Sequence, residues 1–146
     1  MITIDLFVKK ISKIWGIPKV DLKQEELPGT MLARIDVINS VLEISNKVVL
    51  KNTVTCDVAF VLAHELRHLW QYKNGWDLLN HKEIEDKDKY NSQIEEIDAN
   101  AFAVNICEIV FNKTPVFESL SEAVKEKIYN HADLQDEAEA ALFDML

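Results

Sequence analysis

The pentapeptide His64-Glu65-Leu66-Arg67-His68, led in by the apolar run Val58-Ala59-Phe60-Val61-Leu62-Ala63, constrains this chain more than any other feature. Histidines at i and i+4 share one face of a helix about one turn apart, so both can reach a single ion. Glu65 cannot bind that ion from the same helix, but it can sit beside a water on it. A Lewis acid, a water and a proton acceptor are the parts a zinc hydrolase needs. The competing reading is a histidine pair that holds no metal. Burying two histidines and a glutamate beside such an apolar run is costly unless a metal or other partners satisfy them.

A catalytic zinc takes three protein ligands and leaves its fourth position to water. The third ligand is sought in Gln93-Ile94-Glu95-Glu96-Ile97-Asp98-Ala99-Asn100. Ser92 and Glu95 have the S-x-x-E spacing of a capping box, which would start a helix there and occupy Glu95. Glu96 and Asn100 fall on one face of that helix, beside an apolar stripe of Ile94, Ile97, Ala101 and Val104. Glu96 is then free to face the metal, with Asn100 placed to hydrogen-bond a ligand histidine. Asp98 remains a competing carboxylate.

These residues resemble those of the gluzincin metallopeptidases, in which a HExxH helix is followed by a helix supplying a glutamate. Within that group the chain is similar to the ImmA/IrrE family of small bacterial and phage metallopeptidases. Their E-x-x-A-N-x-F-A motif stands here as Glu96-Ile97-Asp98-Ala99-Asn100-Ala101-Phe102-Ala103. Membrane-bound prenyl-protein peptidases carry a similar motif with aspartate at the position of Asn100. The likeness covers residues 58–72 and 92–104. It implies zinc ligands at His64, His68 and Glu96, favouring Glu96 over Asp98, with Glu65 as general base. It also implies a small zincin-like, minimal gluzincin domain. Arg67 departs from the common form, which has glycine there; with Trp70-Gln71 it follows a variant associated with phage and mobile-element proteins. The chain also ends soon after the two metal helices, without the long specificity domain of the radiation-response members.

A chain of 146 residues is expected to form one domain, 1–146, with a core that needs no disulfide or structural metal. Hydrophobic residues make up 48% and only three are glycine, as in an ordinary soluble globular protein. No stretch approaches the roughly 18 apolar residues of a membrane span. The N-terminus lacks the order of a signal peptide, so the cytoplasm is the expected compartment. Cys56 and Cys107 are spaced wrongly for a cysteine zinc site and read as small buried hydrophobes without a disulfide. A net charge of −9 argues against direct nucleic-acid binding, which needs clustered Lys and Arg. From Ala132 onward the chain carries Asp133, Asp136, Glu137, Glu139 and Asp144 with no basic residue. That acidic stretch reads as the solvated face of a terminal helix with Leu134, Ala138, Ala141, Leu142 and Met145 on its apolar side, or as a docking surface for a basic partner.

The expected architecture is α+β. Ile4, Phe7, Val8, Ile11, Ile14 and Trp15 recur at helical spacing, stopped by Gly16 and Pro18. A polar stretch over 21–30 ends in the turn signal Pro28-Gly29. Leu32–Ile38, Val41–Ile44 and Val48–Leu50 are expected as three short strands. Thr53 or Thr55 caps the HExxH helix, which ends at Asn74-Gly75. The segment 74–91 separates the metal helices and is expected to fold over the cleft. The glutamate helix runs from about Gln93 to Phe111. Ser119 and Glu122 then start a helix to about His131, and the acidic terminal helix follows.

The expected function is that of a zinc metallopeptidase cutting a restricted protein or peptide target, such as a regulatory protein, with no membrane partner. Glu65 would take the proton of the attacking water and return it to the leaving amine. The strands before the metal helix offer an edge on which an extended substrate could pair. Tyr72, His81, Tyr90 and His131 are the candidates for stabilising an oxyanion. The alternative is a non-catalytic zincin-fold protein, a phage or mobile-element effector that grips its partner through the acidic surface.

Overall fold

A computed structural model describes residues 2–17, 19–78 and 84–144, without the side chains of 50, 51 and 136–144. Helix α1 (Ile4–Ile14) begins where the Thr3 hydroxyl accepts the N–H of Leu6. It buries Ile4, Phe7, Val8 and Ile11, the single stripe its spacing predicts. Gly16, at φ +64°, carries the left-handed turn that follows, a conformation that costs glycine little.

Three strands form a small mixed sheet in the order β1-β3-β2. The central strand β3 (Val41–Ser45) buries Leu42 and Ile44. It pairs antiparallel with β2 (Ala33–Asp36) and parallel with β1 (Asp21–Glu25). The Asp36 carboxylate fixes the β2–β3 turn by accepting the backbone N–H groups of Ile38 and Asn39.

Two strand expectations need correction. The polar stretch from residue 21 contains β1, whose Asp21, Lys23 and Gln24 are exposed and whose pairing comes from the main chain. Val48–Leu50 is not a strand but part of helix α2 (Asn46–Lys51). Ser45, the last residue of β3, turns the chain into that helix: its hydroxyl accepts the N–H of Lys47. Asn52, in the left-handed region, ends it. The β-branched pair Val48-Val49 is overridden by this cap and by the burial of Val48.

Helix α3 (Cys56–Lys73) carries the HExxH sequence. Thr55 is its cap, through a hydrogen bond from the N–H of Val58, and Asn74 with Gly75 closes it. After the short helix α4 (Lys87–Asn91) comes α5 (Ile94–Phe111), in which every residue from Glu96 to Cys107 is buried. A helix buried all round lies inside the molecule. Phe102, Ala103, Ile106 and Cys107 join a core with α1, the sheet and α3; Ala101 and Val104 pack against α6 (Glu122–Asp144). Trp15 meets Phe102 edge to face at 4.6 Å. Both cysteines are free; Cys107 is buried, and burial raises its thiol pKa above the ordinary value.

The helix starts predicted after α3 also need correction. Ser92 and Glu95 form no capping box: α5 begins at Gln93 without a side-chain cap, and the Ser92 hydroxyl donates back to Asp88 O. The hydroxyl that caps α6 is that of Ser121, which accepts the N–H of Val124, not that of Ser119. In place of two C-terminal helices, α6 runs unbroken through His131, because its sequence holds no Gly or Pro to stop it. Leu134, expected on the buried side of the terminal stretch, is 83% exposed. The rest of that apolar side and four of the five acids fall among the side chains that are not described. Among the described residues no helix is long and apolar enough to cross a membrane.

Candidate metal centre

Helices α3 and α5 pack along each other and bring three side chains to one point. His68 Nε2 lies 3.1 Å from His64 Nε2 and 2.7 Å from a Glu96 oxygen; His64 Nε2 lies 3.3 Å from the other. The two rings stand edge to face, 4.7 Å apart. Glu96 is 2% exposed, while each histidine keeps a small opening to solvent. Among the described residues these three form the group whose ligand atoms could hold a metal ion.

Whether the donors suit a metal is decided by what they lack. Glu96 Oε2 is buried and has no hydrogen bond of acceptable geometry, although His68 Nε2 is within reach. A buried carboxylate oxygen in that state is costly, and a cation between the three groups would satisfy it. Two imidazoles and a carboxylate are also the donor types a catalytic zinc takes. The residues fit a metal.

The three side chains also interact with one another. Burial opposes charge on the His68 ring, but the adjacent Glu96 carboxylate outweighs it and pushes its pKa up to about 9. Burial likewise works against the Glu96 carboxylate, and the two histidines overcome that and hold its pKa far below the usual range. Glu65 differs. Burial raises its pKa, and the nearby Glu96 charge adds to this; His64, His68 and the backbone of Ile35 pull the other way. A carboxyl raised from its ordinary value is better matched to taking and returning a proton near neutral pH.

Glu65 and the three convergent residues line a cleft of about 230 Å³. Strand β2 contributes Ile35 to its wall, the turn after it contributes Val37, and the chain beyond α3 contributes Leu78 and Tyr90. A larger cleft of about 320 Å³, beside α1 and β1, contains Asp5 and Lys23 but no histidine. Chemistry, not size, selects between them.

The remaining sequence candidates separate clearly. Tyr90 lines the cleft, whereas Tyr72 is not among its lining residues. His131 hydrogen-bonds Asp98 at 2.9 Å instead. His81 lies outside the described residues. Asn100 does not support a ligand histidine as expected: its amide donates to Asn91 Oδ1 at 3.0 Å. The group beside His68 is Gln71, whose Oε1 is 2.8 Å from Nδ1 of the ring.

Asp98, two residues after Glu96, is engaged elsewhere. Arg67 donates to it from Nε at 2.7 Å and from a terminal nitrogen at 3.1 Å, and Gln71 and Gln135 also donate. Burial would raise the Asp98 pKa, but Arg67, with Gln71 and His131, holds it below its usual value. The Arg67 guanidinium also stacks 3.8 Å over the Trp70 ring. Sequence reasoning missed this cluster. One signal was present: Arg67 lies inside an otherwise core-facing helical segment, where a charge needs a partner.

No protein-family model matches this chain, and no curated protein or solved structure does. The functional reading therefore rests on the site itself.

Proposed function

We propose that this protein is a zinc metallopeptidase of the gluzincin type, acting on a restricted protein target, with His64, His68 and Glu96 as the zinc ligands. The observation that carries the reading is the convergence of these three side chains on one point while Glu65 lines the same cleft. The resemblance of the two motifs to the ImmA/IrrE peptidases, and with it a zincin-like fold, belongs to the same proposal.

Zinc held there would supply a Lewis acid, lowering the pKa of a water and polarising a substrate carbonyl. The chain's own residues supply the rest. Glu65 receives the water's proton as the oxygen attacks the carbonyl carbon. It then delivers that proton to the amide nitrogen, so that the C–N bond breaks and an amine leaves. Ile35 shares the wall of the cleft with Glu65. Among the described residues β2 pairs with β3 alone, so its outer edge offers pairing positions to an extended peptide passing the cleft.

The test is a comparison of wild type with Glu65→Gln. Both should bind one equivalent of zinc, and only wild type should cleave proteins in a host lysate. Equal biological effects from the two proteins would overturn the peptidase and favour a non-catalytic binding protein. Metal analysis of protein purified without added metal should find zinc, and iron in its place would overturn that assignment.

A further inference from the structure

Resting on the metal reading above, we infer that Gln71 is a positioning residue: braced by Asp98 and the Glu95 carbonyl, its amide oxygen takes the Nδ1 proton of His68 and leaves Nε2 as the metal donor. The orientation of the amide follows from its neighbours. Gln71 Nε2 lies 2.9 Å from Glu95 O and 2.8 Å from Asp98 Oδ2. A carbonyl oxygen can only accept, and so can a carboxylate paired with Arg67. The two N–H bonds of the amide are thus directed to these two acceptors, and the opposite end, facing His68 Nδ1 at 2.8 Å, is the oxygen. An amide oxygen only accepts, so Nδ1 bears the proton.

Gln71 is 0% exposed, so water does not compete for these bonds. Asp98 is held in turn by Arg67 from α3 and by His131 and Gln135 from α6. Three helices therefore brace one ring nitrogen. Partners of this kind orient a metal-binding histidine, and their loss costs roughly 10- to 100-fold in metal affinity.

The test uses the full chain, zinc itself as the probe, and two substitutions that divide the roles of Gln71. Gln71→Leu removes the acceptor and both donors. Gln71→Glu keeps an acceptor for His68 but faces Asp98 and Glu95 O with no donor. By competition against a chelator, Gln71→Leu should bind zinc about 10- to 100-fold more weakly than wild type. Gln71→Glu should lose less than about tenfold in zinc affinity while its metal-free form melts at a lower temperature than that of Gln71→Leu. A merely structural residue would make zinc affinity and melting temperature fall together in both variants, and that result would overturn the inference. Nitrogen-15 spectra of zinc-loaded wild type provide a second readout that requires no variant to fold. His68 should bind zinc through Nε2 and show a solvent-protected proton on Nδ1; zinc on Nδ1, or a freely exchanging Nδ1 proton, would overturn it. Wild type that binds no zinc would sink the metal reading itself, whereas zinc-binding wild type with an unaffected Gln71→Leu would sink this inference alone.

Discussion

Glu96 and Asp98 stand two residues apart in the first turns of α5, and each is 2% exposed, yet their surroundings are opposites. Asp98 is saturated: Arg67, Gln71, His131 and Gln135 all donate to its carboxylate. Glu96 meets two histidine nitrogens that with it could hold a metal ion, and one of its oxygens lacks a proper hydrogen bond. A buried carboxylate surrounded by donors is already neutralised and serves the fold. One left short of donors can still accept a cation. Burial alone would not separate them; what each oxygen accepts does.

The largest effect expected from breaking this contrast is on zinc. Glu96→Gln removes one of the three proposed ligands and should weaken binding beyond the roughly 100-fold that the loss of an outer partner costs, as measured by chelator competition. If instead Asp98→Asn caused the greater loss of affinity per folded molecule, the assignments of the two carboxylates would be reversed. Asp98→Asn should act on stability. It removes the buried carboxylate charge to which Arg67 donates twice, a change of about 3–5 kcal/mol that urea unfolding of the metal-free protein can read. A change below about 1 kcal/mol, the range of exposed pairs, would show that the cluster does not brace the fold.

The smallest effect concerns pH. In the metal-free protein the His68 pKa is about 9, above the ordinary 6.5. Its contribution to stability is therefore full below about pH 6.5 and is lost as pH rises through about 9. The lowered pKa of Glu96 acts in the other direction: its contribution is present above its ordinary 4.5 and is lost as pH falls below that value. The metal-free form should be most stable between about pH 4.5 and 6.5. Zinc must displace the His68 proton, so its apparent affinity should rise by up to tenfold per unit as pH increases toward 9 and then level off. A flat titration of affinity between pH 6 and 9 would contradict the coupling between His68 and Glu96.

The parts of this molecule that were legible in sequence are those written in local periodicity. The stripe of α1 and the Thr55 cap and Asn74-Gly75 end of α3 follow from spacing and caps. Strand β1 was hidden because its Asp21, Lys23 and Gln24 carry no apolar alternation, and only pairing with β3 makes it a strand. Val48-Val49 misled in the other direction, since a serine hydroxyl at the end of β3 outweighed β-branching. The convergence of Glu96 with the histidines agrees with the sequence expectation, but not for the reason given: the capping box that was to occupy Glu95 does not form. The support for His68 could not be read at all. Gln71 lies three residues beyond His68, but the bond that orients its amide comes from Asp98, on another helix.

The most direct test of the account is the anomalous diffraction of a zinc-loaded wild-type crystal, collected on both sides of the zinc absorption edge. It predicts one zinc peak between α3 and α5, bonded to His64 Nε2, His68 Nε2 and a Glu96 oxygen, with Asp98 still held by Arg67. A zinc bonded to Asp98, or no peak between those helices, would contradict it.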